Sequence, residues 1–277
     1  MAGVNVAAVC RKLRMSRQNF YARRKARRRQ EVDGALALQL VRQERQIQPR
    51  LGGRKLHYLL RAPLEKAGVA LGRDRFFELL READLLVEPL PREWVRTTCA
   101  QHDLPVFKNL LKEAEIKEPD QAWVVDLTYV RTQEGFIFLS LLTDKVSRKI
   151  VGYHCAESLA ASGCVQALRM ALLHLPEGAC PIHHSDRGTQ YCSREYVGIL
   201  QERGLPISMT EQNHCAENAL AERMNGILKA EYGLGGCLKS KAQAREAAAQ
   251  AVRLYNERRP HEALNYQTPA QVHSLAA

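Results

Sequence analysis

The chain has 277 residues, with 41 Lys and Arg against 30 Asp and Glu, for a formal charge of +11. Its 45% apolar and 26% charged content is that of a globular protein and excludes wholesale disorder; at roughly 100–200 residues per domain, the length suggests about two domains. The longest apolar stretch, 136–142 (FIFLSLL), is far short of the ~20 residues of a membrane span.

The charge is unevenly placed. Residues 1–60 hold 15 Lys and Arg and only Glu31, Asp33 and Glu44 as acids, whereas residues 61–277 hold 26 bases and 27 acids. A localised basic segment points to a polyanionic partner, most often nucleic acid. The N-terminus lacks the apolar core and small-residue cleavage site of a secretory signal. It is basic and acid-poor as a transit peptide is, but its helical apolar pattern favours a folded module. The eight cysteines are scattered and form no CxxC pair, which fits a reducing cytoplasm rather than a disulfide framework. Cys180, His183, His184 and Cys192 lie close in sequence but match no recurrent zinc spacing, so they read as strand and loop residues.

In chain order, residues 3–29 predict two short helices. Val6, Val9, Cys10 and Leu13 form one stripe, and Ser16 is placed to cap a second helix carrying Phe20 and Tyr21. That helix runs into Arg23, Arg24, Lys25, Arg27, Arg28 and Arg29. Two readings stand: a helix-turn-helix with its bases on phosphates, or a solvated basic helix. A second helical module follows, with Leu36, Leu40, Val41 and Ile47 at helical spacing. It continues with a helix over 53–67 that Pro63 would kink, a turn at 68–72, and a helix over 73–83 with Phe76, Phe77 and Leu80 inward. This reads as a second helix-turn-helix or as a plain helical bundle. The division is therefore 1–34, 35–90, a linker at 91–119 with a short helix near 106–115, and a core at 120–277.

From residue 122 the period changes. Strands are predicted at 123–130, 136–142 and 149–155, then a helix at 160–174, a strand near 180–184, a helix at 193–203, a strand at 205–209, and helices at 216–232 and 240–257. The order βββαβαβα describes an α/β domain with a central sheet.

Asp126 sits inside the apolar strand WVVDLTYV, where an unpaired buried charge costs several kcal/mol. A metal or cationic partner would offset that cost, and so would a solvated strand face. Asp186 lies just beyond a strand, in HHSDRGTQY with Gly188, where open α/β sheets place their ligands. Glu222 stands in ENALAERMNGILKAE with Asn218 one turn before it and Lys229 two turns after it on one helix face, while Glu217 points away.

Asp126, Asp186 and Glu222, with 35 residues between the last two, resemble the DDE signature of transposases and retroviral-type integrases. More narrowly, the chain resembles the second-frame product of IS3-family insertion sequences from about residue 3 to 272. The likeness includes PRLGGRKLHYLL at 49–60, DQAWVVDLTYV at 120–130 and YNERRPHEALNYQTPAQV at 255–272. One departure is Glu217, where the family usually has Asp; Glu222 keeps the expected spacing.

The resemblance implies an RNase H-like core behind all-α helix-turn-helix modules, and a DNA transposase acting in the bacterial cytoplasm on the nucleoid. It implies that Asp126, Asp186 and Glu222 hold two Mg²⁺ or Mn²⁺ ions for DNA cleavage and 3′-OH strand transfer, chemistry that suits hard oxygen ligands. Lys229 would contact DNA phosphate. Arg23, Arg24, Lys25, Arg27, Arg28, Arg54, Lys55, Arg258 and Arg259 are further candidates for DNA contact, the last two equally candidates for a capping role. Implied partners are the element's terminal inverted repeats, target DNA, further copies of the chain, and an upstream-frame product supplied separately or by fusion. A junction resolvase or a non-catalytic DNA-binding regulator would share only part of this pattern.

Overall fold

The computed structural model describes residues 5–88, 102–211 and 217–275. Two compact units emerge, the first built from residues up to 47 and from 51–87, the second from 48–50 and the residues from 88 onward.

In the first unit, α1 (Val6–Lys12) is capped by Asn5, whose side chain accepts from the Ala7 and Ala8 amides. Arg14 turns the chain at φ 49°, and Ser16 then caps α2 by accepting from Asn19 N at 3.1 Å. The second helix does not stop near residue 29. α2 spans Arg17–Ile47, and the expected boundary at 34/35 falls inside it. The physical reason is local: helix formers dominate on both sides of Gly34 as far as Gln48–Pro49, and Arg27–Glu31 and Arg29–Asp33 pair across single turns. Its second half buries Ala37 and Val41 against α3 (Gly53–Lys66) and α4 (Arg73–Glu82), which contribute Leu56, Leu60, Leu64, Phe76 and Leu80. α3 continues past Pro63, and Gly68 at φ 75° reverses the chain before α4.

The second unit opens irregularly. Residues 91–101 of the expected linker lie outside the described residues, and the helix expected near 106–115 is a single 3₁₀ turn, Leu110–Lys112. Then come β1 (Ala122–Thr132), β2 (Gly135–Asp144) and β3 (Ile150–Ala156), antiparallel in sequence, followed by α5 (Ala161–Leu173), β4 (Ile182–Ser185), α6 (Arg194–Glu202) and β5 (Ile207–Met209). The order is β3-β2-β1-β4-β5, with β4 parallel to β1 and β5 parallel to β4. α7 (Ala219–Glu231) and α8 (Lys241–Glu257) complete the layers. This is the RNase H-like arrangement.

α5 and α6 cover the sheet face of Trp123, Val125, Leu127 and Leu142; α7 and α8 cover that of Val130, Ile137, Leu139 and Leu141. Both faces are buried, so β1 and β2 read as nearly continuous apolar runs. α5 lies so close to β3 that a Cβ at Gly152 would meet Ala167 O at 2.3 Å. Two elements were not expected: the short β6 (Cys237–Leu238), parallel to the end of β1, and the C-terminal α9 (Pro269–Ser274), which a capping box at Thr268 and Gln271 starts. β4 pairs β1 at 122–124 and β6 pairs it at 131–132. Among the described residues, no strand lies along 125–130 on that edge. This gap positions the site.

Candidate active site

Asp126 projects from the middle of β1 at the gap. Its Oδ1 accepts from Leu127 N at 2.9 Å and its Oδ2 from Asn225 Nδ2 at 2.8 Å. Burial pushes its pKa up to about 7, with further increments from the charges of Asp186 and Glu222, against the two hydrogen bonds that favour the carboxylate. Asp186 and Glu222 therefore lie within electrostatic reach of Asp126, although three separate elements carry the three groups.

Asp186 follows β4 and is fixed by its own turn, its Oδ1 accepting from Gly188 N at 3.0 Å. A Cβ at Gly188 would approach that same oxygen at 3.0 Å, so glycine lets the backbone wrap the carboxylate. Arg187 Nε donates to Thr210 O at 2.7 Å and ties the loop to the residue after β5. Glu222 is exposed in the first turn of α7.

One stripe of α7 runs along the gap. Asn218 Nδ2 donates to Val125 O at 3.0 Å, Asn225 holds Asp126, and Lys229 Nζ lies 4.0 Å from the Tyr129 ring centroid. Glu222 belongs to the same stripe. Sequence reasoning missed Asn225; its place three residues after Glu222, on the face shared with Asn218 and Lys229, was the available signal. Asn225 is buried, and its Oδ1 has no partner.

Glu217 faces elsewhere. Its carboxylate accepts from Glu211 N and, at 3.0 Å, from Asn109 Nδ2, and it lies 3.5 Å from Lys112 Nζ. The departure from the usual Asp thus falls in a structural clamp.

The half-buried Asp126 and two nearby carboxylates, Asp186 and Glu222, offer oxygen donors of the kind that suit a hard divalent cation. Their ligand atoms do not all lie within 4.8 Å of one another. Among the described residues, Asp120, Asp144 and His273 alone do so. That trio is a structural knot: Asp144 Oδ1 accepts from Val146 N, Ser147 N and Ser147 Oγ, and its Oδ2 from Asp120 N, which leaves little capacity for a metal. His183 and His184 are likewise internal. Their rings meet Tyr196 Oη and Ser208 Oγ at 2.8 Å, and burial depresses their pKa values to about 3 and about 4.

The expected DNA-contact residues fall into two groups. Arg23, Arg24, Lys25, Arg27 and Arg28 are all exposed around α2; Arg54 is exposed and Lys55 partly so at the start of α3, and Arg258 is exposed after α8. Arg259 takes the structural one of its two expected roles and is not available for DNA contact. It is 3% exposed, and its guanidinium gives two bonds of 2.7 Å to Glu231, the last residue of α7. That bidentate pair satisfies the fork geometry of the arginine, so Arg259 anchors the α7 helix instead of reaching phosphate. The same C-terminal motif uses Asn256 to donate to Ile150 O and accept from Ile150 N, both at 2.9 Å.

Residues 116–215 match one integrase core domain family and residues 203–269 a second family of the same description. An insertion element IS600 protein of 31 kDa from Shigella sonnei is 32% identical over 277 residues, covering 97% of this chain and all of that one. The transposase InsF of IS3A from Escherichia coli K12 is 31% identical over 242 residues, 83% of this chain and 80% of its own. The chain belongs to the IS3-type insertion-sequence transposases. Among solved structures, the HTLV-2 integrase catalytic core is 18% identical with a TM-score of 0.45, over 56% of this chain and 97% of that one. As a member of this family the chain is a DDE polynucleotidyl transferase.

Proposed function

We propose that this transposase cuts DNA at the ends of its insertion element and joins the freed 3′-OH to target DNA, with Asp126, Asp186 and Glu222 as its catalytic carboxylates. The observation that supports the reading is the electrostatic reach of Asp186 and Glu222 to Asp126, which sits at the open edge of β1. These three residues would hold two magnesium or manganese ions. When bound, such ions supply Lewis-acid activation of the attacking oxygen and charge neutralisation at the scissile phosphate. Asn225 orients the Asp126 carboxylate, Asn218 seats α7 on β1, and the Gly188 turn presents Asp186. Lys229, one turn beyond Asn225, offers positive charge to the strand leaving the reacting phosphate.

The basic N-terminal unit grips DNA through α2 and the start of α3, as its exposed arginines support. The expected segments 1–34 and 35–90, joined through α2, form one DNA-holding part of the functional division, with 91–119 as linker and 120–277 as catalytic core. Further copies of the chain and an upstream-frame product would complete the assembly on the element's inverted repeats. Among the described residues no helix is long and apolar enough to cross a membrane; the place of action in this reading is the nucleoid in the cytoplasm. The test is incubation with labelled element ends and Mg²⁺. Strand-transfer product from the wild type and none from Asp186→Asn is expected, whereas full activity in Asp186→Asn would remove the assignment.

A further inference from the structure

Past the carboxylates, an aromatic pair that the catalytic residues do not use joins Tyr129 of β1 to Phe136 at the start of β2. Phe136 follows Gly135, whose φ of 107° makes the tight β1–β2 turn, and Thr132 Oγ1 fixes that turn by donating to Gly135 O at 2.7 Å. The Phe136 ring is 45% exposed and meets Tyr129 edge-to-face, with centroids 5.5 Å apart and planes at 88°. Lys229 lies over Tyr129 at 4.0 Å. A rigid hairpin thus holds a large aromatic surface in solvent beside a cation from the helix that carries Glu222.

Tyr129 and Asp126 point to opposite faces of the sheet because their spacing is odd. α7 nonetheless touches both, since it lies on the strand's edge: Asn225 meets Asp126 and Lys229, one turn later, meets Tyr129. Three residues of strand cover about 10 Å, about three steps of a stacked DNA strand at ~3.4 Å each. A strand whose phosphate sits at the carboxylates can therefore place a nearby base on these rings.

We propose that Tyr129 and Phe136, with Lys229, form a stacking platform that receives an unpaired nucleobase close to the reacting phosphate. The inference rests on the DNA-joining reading above and adds to it a base-binding surface. Every base has a π face, so the platform contributes affinity and alignment and not sequence choice. An exposed aromatic with a neighbouring cation suits this task because unstacked bases accept both ring stacking and cation–π contact.

The test is a double-mutant cycle read as binding. Duplexes from the element's termini carry an abasic residue at successive positions beside the reacting phosphate, and each is titrated against wild type, Phe136→Ala, Phe136→Leu and Phe136→Trp. Loss of the ring in the Ala and Leu variants is expected to weaken intact DNA about 5- to 150-fold. Phe136→Trp should retain affinity. At one position, abasic DNA should bind wild type and Phe136→Ala equally, because the partner of the ring is already gone. Equal affinity of Phe136→Ala and wild type for intact DNA would overturn the proposal, as would the same loss at every abasic position. Unchanged thermal melting of Phe136→Leu separates loss of the ring from misfolding. Mg²⁺-dependent cutting of intact DNA by the wild type is scored in parallel. If it cuts and no coupling appears, the platform alone fails; if it does not cut, the joining reading fails and the cycle still decides the platform.

Discussion

The two units handle charge in opposite ways. In the N-terminal unit the excess bases ring an exposed helix, and the acids beside them pair one turn away, as Arg27 does with Glu31 and Arg29 with Asp33. In the core the decisive charges sit at a partly buried strand edge, and residues distant in sequence hold them: Asn225 on Asp126, Glu231 on Arg259, Asn109 on Glu217. Exposed charge is cheap and adaptable, which suits a surface that follows a DNA backbone. Partly buried charge is costly and must be oriented, which suits chemistry. On the proposed reading, net charge marks where DNA is held and says little about where it reacts.

Substitutions should separate these two uses of charge. The largest effect is expected at the carboxylates. Asp126→Asn, Asp186→Asn or Glu222→Gln should each lower strand transfer by at least about 10³-fold, while filter-binding affinity for element ends changes little. An equal loss of binding would erase the contrast between units. Next is Arg259→Ala, which removes the bidentate partner of the largely buried Glu231 carboxylate and should cost the core about 3–5 kcal/mol in urea denaturation. Exposed Arg258→Ala should stay within ~0.5 kcal/mol.

Asn225→Ala removes the orienting bond to Asp126. A fall in strand transfer of about 10–100-fold, with a raised Mg²⁺ requirement and unchanged DNA affinity, is expected in a metal titration. A smaller effect concerns pH. His183 and His184 titrate near 3 and 4 in the folded core, below the ordinary value of 6.5. Protons therefore bind the unfolded chain first. The stabilisation is full above pH ~6.5 and declines as pH falls toward 4. Calorimetric melting should show the core transition dropping between pH 7 and 5, and His184→Gln should flatten that dependence. The smallest change per residue belongs to α2. Arg24→Ala or Arg28→Ala should reduce the slope of log affinity against log salt by about one and leave Mg²⁺ dependence untouched.

Much of the core was legible along the chain. The change from helical to strand period at residue 122 located β1, and helices at 160–174, 193–203 and 240–257 fall within a residue or two of α5, α6 and α8. Two of the three candidate carboxylates stood out locally, Asp126 as a charge in an apolar strand and Asp186 as an acid in a glycine turn; Glu222, on what reads as an ordinary solvated helix face, was singled out only through those two and the family spacing. α2 was misjudged because a basic, exposed stretch carries no apolar stripe to mark its continuation. Arg259 stayed open between phosphate contact and a capping role because nothing near it in sequence reveals Glu231.

The sequence by itself determined the elements, the charge imbalance and the identity and spacing of Asp126, Asp186 and Glu222, since periodicity and motif spacing are local properties of the chain. Tertiary structure alone decided the gap between β4 and β6 along β1, the seating of α7 in it through Asn218 and Asn225, the burial of Arg259, and the meeting of Tyr129, Phe136 and Lys229. Those features depend on sheet register and on which helix face lands on which strand edge. Both arise from packing between segments far apart in the chain, which no short window of sequence records.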